Sequence, residues 1–523
     1  MAEAERRPRV GLISLGCPKN LVDSEIMLGE LARRGYEVVG DIEAADTVLI
    51  NTCAFIEEAK QESIDTILEV VGRKGRGVER VLVAGCMVNR YGDELAREIP
   101  EIDGFVGLDQ LREVGALVEL GGGPPLPAPS HLVFDHTAPR LLTTRGHAYL
   151  KVAEGCNNPC TFCAIPIWRG RFRSRTLESL VEEARQLEAA GILELNLIAQ
   201  DTTRYGEDLG LRRHGLLRLV EAVLAATSIP WIRFLYAYPT TLDEELLRLM
   251  GAERRFCSYL DMPLQHSHGD MLRAMRRGGD AARYLRLLER ARELVPDVFL
   301  RSTFIVGFPG ETEEHFRDLV GFVERARFDH LGAFAFSPEP GTPAASLAGR
   351  VPRQVARRRL RQLLAAQRPI ALAARRRLLG RRLEVLVEGP CAETEHLLAA
   401  RHHGMAPEID GQVLINDIEP GALPAGAAGA AGATGADGAD GGGSLTAGRA
   451  PGERPVLATV EITEAYAGDL VGRLVAPMAP MAPMASMTPA AARAAAAAGA
   501  ARATGAAPVP RDELSPAPAS RSA

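Results

Sequence analysis

The sequence contains few lysines, no long apolar runs and no large excess of either charge. Lys19, Lys60, Lys74 and Lys151 are the only lysines among 61 basic residues, which we interpret as genomic composition bias. The 61 basic and 67 acidic residues give a net charge of −6, so nothing global indicates a nucleic acid or a membrane as partner. No apolar run reaches the roughly 20 residues of a membrane helix, and residues 1–9 are short and charged rather than a secretory leader. These absences predict a cytoplasmic protein.

Eight cysteines are present, and three of them crowd into one short stretch. Cys156, Cys160 and Cys163 have the spacing CxxxCxxC. In a cytosolic protein such thiols are better explained as metal or redox groups than as disulfides. A structural zinc site needs four ligands, whereas three thiolates on a four-iron cluster leave one iron free. The spacing therefore predicts an iron–sulfur centre with an open iron.

The N-terminal part repeats a strand followed by a cysteine. The apolar runs are residues 10–15 before Cys17, 47–50 before Cys53 and 80–84 before Cys86, with helical patterns at 23–34, 54–71 and 93–99. Alternation of strands and helices predicts a parallel α/β sheet, whose functional edge is formed by the carboxyl ends of its strands. Three buried structural cysteines are the alternative. Because all three occupy equivalent strand ends, we favour a second metal site.

The middle of the chain also alternates between strand and helix patterns. Strands are predicted at 148–152, 194–199, 231–236, 258–261, 298–308 and 330–336, and helices at 177–190, 216–226, 243–250, 281–294 and 313–326. Six such units predict a partial or full (β/α) barrel, in which active sites lie at the carboxyl ends of the strands. Cys156 follows the first of these strands, where a barrel active site belongs.

The C-terminal part changes character. A basic helical stretch at 353–379 is interpreted as a packed amphipathic connector, with a nucleic-acid arm as the alternative. Strand patterns at 383–388, 412–415, 457–462 and 470–475 predict a small β-barrel. The predicted domains are 8–125, 140–375 and 378–476, with a Gly/Pro-rich linker at 121–129, a disordered insertion near 421–451 and a low-complexity, disordered tail at 477–523.

The motifs resemble a known enzyme family. CxxxCxxC with Phe162 before its last cysteine resembles the signature of the radical S-adenosylmethionine (SAM) superfamily. The strand-end triad, Gly16-Cys17-Pro18-Lys19-Asn20 and Ala406-Pro407-Glu408-Ile409-Asp410-Gly411 resemble its methylthiotransferase branch. The closest match is to the members that modify an aspartate of small-subunit ribosomal protein number twelve. The insertion and the tail depart from that pattern.

The resemblance implies a reaction and its cofactors. An unactivated C–H bond becomes C–SCH3 at the β carbon of the aspartate, which requires a radical that a cofactor must supply. In the family, SAM binds the open iron of a 4Fe-4S cluster on Cys156, Cys160 and Cys163 and is cleaved to a 5′-deoxyadenosyl radical. A second 4Fe-4S cluster, on Cys17, Cys53 and Cys86, would hold the sulfur to be inserted. A reduced flavodoxin- or ferredoxin-like protein would donate the electron.

Further contacts to SAM follow from the same resemblance. Phe162 would pack beside the cluster and the adenine, with plain core packing as an equal alternative. Gln200 and Asp201 follow a predicted strand at the place where radical SAM barrels hold the amino group, although Asp201 could be an ordinary helix cap. Gly307 and Glu311 belong to a turn that resembles the SAM-contacting loop, or is only a turn. Gln265 and His266 could line the site, His266 equally as a satisfied polar residue, and Cys257 and Cys391 are interpreted as structural.

The small β domain resembles a TRAM domain, a substrate-binding module. Its acidic residues outnumber Arg401 and comprise Glu384, Glu388, Glu393, Glu395, Glu408, Asp410, Asp417 and Glu419. An acidic surface suits a basic ribosomal protein as substrate better than a nucleic acid. The alternatives are a merely soluble acidic face, a tRNA adenosine methylthiotransferase, and a non-catalytic zinc-bound interaction module.

Overall fold

The computed structural model describes residues 7–120, 134–144, 146–211, 214–419 and 455–477. The predicted linker at 121–129, the insertion at 421–451 and the tail beyond residue 477 lie outside these ranges. Among the described residues, no helix combines the length and apolar character that crossing a lipid bilayer requires.

The N-terminal domain is the predicted parallel α/β sheet. Its strands are β1 Arg9–Ser14, β2 Glu37–Val39, β3 Thr47–Thr52, β4 Arg80–Gly85 and β5 Gly104–Val106, in the order β2-β1-β3-β4-β5. Its helices are α1 Pro18–Arg33, α2 Glu57–Val71, α3 Cys86–Glu98 and α4 Val114–Leu120. The central strand β3 is buried along its whole length, as expected for a parallel sheet covered on both faces.

Two of these helices begin earlier than their apolar patterns predict. Helix α1 begins at Pro18 instead of residue 23, since proline suits a first helical position, where no N–H is needed. Helix α3 begins at Cys86 instead of residue 93, and a non-helical Tyr91 interrupts it. Both corrections place a cysteine at a helix start, Cys17 as the residue before α1 and Cys86 as the first of α3.

The central domain contains all six predicted strands. They are β6 His147–Lys151, β9 Glu194–Ile198, β10 Trp231–Phe234, β11 Tyr259–Asp261, β12 Phe299–Val306 and β13 His330–Ala335, and the short pair β7 Ala153–Glu154 and β8 Arg173–Ser174 lies beside them. The parallel sheets β10-β9-β6 and β11-β12-β13 are joined by two backbone hydrogen bonds, from Ile232 N to Arg255 O at 2.7 Å and from Cys257 N to Ile232 O at 2.9 Å. The result is a partial barrel of six parallel strands.

Helices cover the outside of this partial barrel. They are α5 Ile165–Trp168, α6 Leu177–Ala189, α7 Gly215–Ala226, α8 Glu244–Ala252, α9 Gly269–Ala274, α10 Ala281–Leu294 and α11 Glu313–Ala326. The short helices α5 and α9 were not predicted, because one or two turns give no periodic pattern.

The C-terminal domain is a closed five-stranded barrel. After helix α12 Arg353–Arg376 come β14 Arg382–Cys391, β15 Thr394–His402, β16 Val413–Ile418, β17 Val456–Ala465 and β18 Leu470–Pro477, in the order β14-β15-β16-β18-β17. Strand β15 was missed because its sequence does not alternate apolar and polar residues. Helix α12 packs against α11 and β13, which confirms the packed connector.

The three parts share buried contacts. One apolar cluster contains Leu12 and Met27 of the N-terminal domain, Leu235 of the partial barrel and Leu386 of the C-terminal barrel. Buried ion pairs also join the partial barrel to the C-terminal barrel, since Glu194 lies 2.7 Å from Arg401 and 3.0 Å from Arg233. The C-terminal barrel is thereby anchored at the amino end of β9.

Candidate functional site

The structure gathers the first cysteine triad at one edge of the N-terminal sheet. Cys17, Cys53 and Cys86 follow the neighbouring strands β1, β3 and β4. The pKa of Cys53 is raised to about 11 and that of Cys86 to about 12, mainly by burial; neighbouring thiols contribute to both increases, and Arg169 opposes them. These thiols would lose protons on binding iron, so binding should weaken as the pH falls.

Two glycines make room for this triad. A Cβ atom on Gly16 would lie 2.8 Å from the Cβ of Cys53, and one on Gly85 would lie 2.1 Å from Oδ1 of Asn51. Both glycines have positive φ angles, of 94° and 91°. Each therefore serves a close approach and a left-handed turn that other residues disfavour.

The second triad lies on the loop between β7 and α5, at the carboxyl end of the first barrel strand. The loop is held by Cys156 N donating to Gly170 O at 3.1 Å and by Thr161 N donating to Met275 O at 3.1 Å. Arg277 Nη1 lies 3.5 Å from the sulfur of Cys160. Burial raises the pKa of Cys163 to about 12.

The donor sets indicate the kind of metal centre that each triad could hold. Each triad offers three thiols, whereas a closed structural zinc site takes four ligands. Three thiolates on a four-iron cluster leave one iron open, so the all-thiol triads fit clusters of several iron atoms.

A buried guanidinium connects the two triads. Arg169 Nη2 lies 3.3 Å from the sulfur of Cys86 and 3.0 Å from Asp23, while its Nη1 donates to both oxygens of Glu154 at 2.9 Å. Glu154 stands two residues before Cys156. Lys151 completes the network, 2.5 Å from Asp23 and 3.0 Å from Glu154. The two cysteine sites are therefore neighbours across the interface of the first two domains.

The charges of this network are mutually compensated. Burial alone would raise the pKa of Glu154, but Arg169 and Lys151 outweigh it and the pKa is strongly lowered. Likewise, burial would lower the pKa of Arg169, yet Cys86, Glu154 and Asp23 raise it well above its usual value. Sequence reasoning missed these roles because the partners are up to 149 residues apart. The scarcity of lysine was interpreted as composition bias and gave no indication of the role of Lys151.

Three of the predicted SAM contacts lie around the second triad. Gln200 Nε2 donates to Glu154 at 2.9 Å, and its Oε1 is buried without a hydrogen-bond partner among the described residues. Asp201 accepts from Asn158 of the cysteine loop at 2.7 Å, and its side chain caps no helix. Phe162 packs in an apolar cluster with Phe308.

The predicted Gly307–Glu311 turn is brought to the same region through Phe308. Gly307 has a φ angle of 75°, and its N–H donates to Glu311 at 2.5 Å. The carboxylate of Glu311 is also bound by Arg359 at 2.8 Å and by His266 at 3.3 Å. Glu311 and His266 are thus buried residues with protein partners, and Glu311 shapes the turn. Gln265 forms a backbone bridge with Phe304.

Lys19 is a further buried cation at this interface. Its ammonium lies 3.3 Å from the centre of the Tyr236 ring. Burial lowers the pKa of Lys19 to about 8, against the opposing influence of Cys17. In the sequence, Lys19 was named as a rare residue type and as part of the Gly16–Asn20 motif, but was given no role of its own.

The acidic surface of the C-terminal domain is smaller than the sequence suggested. Three of its carboxylates are bound internally: Glu384 to Arg254 at 2.6 Å, Glu388 to Arg401 at 2.7 Å and Asp410 to Arg301 at 2.5 Å. Glu393, Glu408 and Asp417 are exposed, and the side chain of Glu395 lies outside the described part. For the three bound carboxylates the surface interpretation was wrong, since they join this domain to the partial barrel or to its own strands.

One other group in the described ranges has the composition of a metal site. Ligand atoms of His268, Asp270 and His315 lie within 4.8 Å of one another. However, Nδ1 of His268 accepts from Asp270 N and Nδ1 of His315 accepts from Thr312 N, both at helix starts. A neutral imidazole used in this way carries its proton on Nε2 and has no lone pair there for a metal. The two histidines therefore act as helix caps.

Models of known protein families match three parts of the chain. Residues 9–107 match the model "Uncharacterized protein family UPF0004", residues 150–323 the radical SAM superfamily and residues 379–444 the TRAM domain. Among solved structures, the radical SAM methyltransferase TsrM from Kitasatospora setae aligns over 65% of this chain and 77% of that chain, at 18% identity and a TM-score of 0.48.

Curated relatives are much closer in sequence. The "Ribosomal protein uS12 methylthiotransferase RimO" of Solibacter usitatus is 44% identical, covering 90% of this chain and 96% of that protein. The protein of the same name from Anaeromyxobacter sp. is 46% identical over 90% of this chain and 93% of its own length. That from Geobacter sulfurreducens is 47% identical over 78% of this chain and 93% of its own length. The chain therefore belongs to the RimO family of radical SAM methylthiotransferases.

Proposed function

We propose that this enzyme methylthiolates the β carbon of an aspartate in ribosomal protein uS12, using two 4Fe-4S clusters and SAM. The observation that carries the two-cluster part is the Arg169 contact, which joins Cys86 of one triad to Glu154 beside Cys156 of the other. The substrate comes from the names of the curated relatives. The domain limits 8–125, 140–375 and 378–476, a cytoplasmic location and a flavodoxin- or ferredoxin-like electron donor belong to the same proposal.

The residues divide between two tasks. Cys17, Cys53 and Cys86 would hold one cluster, and Cys156, Cys160 and Cys163 the other. When bound, these groups and SAM supply the inserted sulfur, the methyl group and the radical that abstracts hydrogen.

The surrounding side chains position these groups and exclude water. Arg169, Lys151 and Glu154 fix the two loops against each other through contacts of 2.9 to 3.3 Å. Phe162, Gln200, Asp201 and the Gly307–Glu311 turn would enclose SAM. Buried charges of this kind compensate one another.

Mass spectrometry of uS12 from a gene deletion tests the substrate. Deletion should remove an adduct of about 46 Da, the added SCH2, and complementation should restore it. An unchanged uS12 mass would refute the proposal, and analysis of tRNA nucleosides from the same strain tests the adenosine alternative.

Cysteine variants test the two tasks. In the anaerobically reconstituted enzyme, Cys156→Ala should abolish SAM cleavage, whereas Cys17→Ala should retain cleavage and lose sulfur insertion. Cys391→Ala is the matched control, since Cys391 is buried but lies outside both triads. Insertion by Cys17→Ala would contradict the assignment of the first triad.

A further inference from the structure

Lys19 is buried at the interface of the first two domains, and no carboxylate in the described ranges forms an ion pair with it. It is 7% exposed, and no described carboxylate oxygen lies within 4.0 Å of its ammonium. The other three lysines each have such a partner: Lys60 with Glu339 at 3.2 Å, Lys74 with Asp103 at 2.7 Å and Lys151 with Asp23 at 2.5 Å. Burying a charge without a counter-ion is costly. A site built for an anionic ligand has this arrangement before the ligand binds.

The surroundings hold the ammonium in one place. The ring of Tyr236 lies 3.3 Å from Nζ of Lys19, and a cation over an aromatic face is attracted to it. Tyr236 has a φ angle of 65°, which is strained for a tyrosine, and its N–H donates to Asp261 at 3.0 Å. The strained backbone turn therefore fixes the ring that supports Lys19.

The start of helix α1 adds to the local positive potential. Lys19 is the second residue of this 16-residue helix, which has no acidic residue in its first turn. The amino end of a helix favours anions, and here neither a carboxylate cap nor an ion pair neutralises it. Lys19 and the helix end together would favour a carboxylate.

The position of Lys19 relative to the cysteines indicates which carboxylate. Lys19 is two residues from Cys17, and the next residue, Asn20, accepts from Arg169 at 2.7 Å. Building on the proposed function, we infer that Lys19 binds the side-chain carboxylate of the target aspartate. The β carbon is directly bonded to that carboxylate, so fixing the carboxylate would hold the reacting carbon near the first triad.

The methionine carboxylate of SAM has the same chemistry and is the competing source. The SAM-side loop has its own cations, since Arg277 lies 3.5 Å from Cys160 and Arg204 lies 3.3 Å from Asp201. Lys19 instead belongs to the domain of the first triad. The geometry therefore favours the substrate aspartate over SAM.

Peptide binding tests this inference directly. The full-length, anaerobically reconstituted enzyme would be titrated with a labelled uS12 loop peptide carrying the aspartate and with its Asp-to-Asn counterpart, using fluorescence anisotropy. The unmodified enzyme should prefer the Asp peptide by about tenfold to a hundredfold, the range for a hydrogen bond to a charged group. Lys19→Met should bind both peptides within about twofold of each other, while Lys74→Met, which removes an ion-paired lysine, should keep the preference.

Each other outcome has a distinct meaning. The inference would be overturned if Lys19→Met still preferred the Asp peptide. It would also be overturned if the wild-type enzyme showed no preference between the two peptides, a result that does not depend on whether the variant folds. Loss of SAM binding with the peptide preference intact would assign Lys19 to SAM instead. If the unmodified enzyme prefers the Asp peptide but never methylthiolates it, the proposed function fails while the carboxylate site stands.

Discussion

Replacing Glu194 by glutamine should weaken the attachment of the C-terminal barrel. Glu194 is fully buried and binds Arg401 at 2.7 Å and Arg233 at 3.0 Å. Burial alone would raise its pKa, but Arg401 and Arg233 outweigh burial and lower the pKa from 4.5 to about 2. That lowering corresponds to about 3 kcal/mol of stability at neutral pH. Because glutamine resembles the protonated carboxyl, Glu194→Gln should lower the free energy of unfolding by about that amount.

Tryptophan fluorescence provides the assay. The indole of Trp231 donates to Glu384 of the C-terminal barrel at 2.8 Å, so its emission reports on this junction. The chain has two tryptophans, and a Trp168→Phe background leaves Trp231 alone. Unfolding in urea would be compared for the parent, Glu194→Gln and Glu244→Gln. Glu244 is half exposed and pairs with Arg248 and Arg290, so its loss should cost under about 1 kcal/mol.

The pH dependence gives a second measure of the same ion pairs. A carboxylate with a lowered pKa stabilises the fold fully above its unfolded pKa of 4.5, and this contribution disappears as the pH falls toward 2. The difference in free energy of unfolding between the parent and Glu194→Gln should be constant from pH 8 to 5 and should become smaller below pH 4.5. Equal losses for Glu194→Gln and Glu244→Gln would refute the reasoning, as would a difference that widens in acid.

Two further substitutions test other buried contacts. Gly155→Ala would place a Cβ 2.2 Å from the carbonyl oxygen of Arg171, so the iron and sulfide content after reconstitution should fall by more than about half. The control is Gly191→Ala, which also has a positive φ, of 85°, but has open space around it and should keep its iron. Equal losses of iron in the two variants would contradict the steric argument. Glu339→Gln removes the buried ion pair between Glu339 and Arg90, whose atoms lie 2.8 Å apart. The free energy of unfolding in urea should fall by about 3 kcal/mol. An unchanged midpoint of urea unfolding would show that the fold does not need this charge.

The sequence predicted those features that depend on local patterns. Apolar runs ending at Cys17, Cys53 and Cys86 located three neighbouring strands, and the CxxxCxxC spacing located the second triad. The role of Arg169 was not predicted, because it depends on Asn20 and Cys86, which come close only after folding. Counting acidic residues overestimated the acidic surface of the C-terminal domain for the same reason, because the exposure of a carboxylate depends on partners that are distant in the chain.

The buried ion pairs beneath the C-terminal barrel have a consequence for how substrates are admitted. A domain that could swing toward the substrate would first have to separate Arg401 from Glu194 and Asp410 from Arg301, leaving charges stranded in apolar surroundings. This domain is thus held in a fixed position against the partial barrel. Under the proposed function, the conformational change then falls to the substrate, whose loop would have to extend to reach the buried cysteine sites. Stiffening that loop should slow modification more than changing its flanking charges.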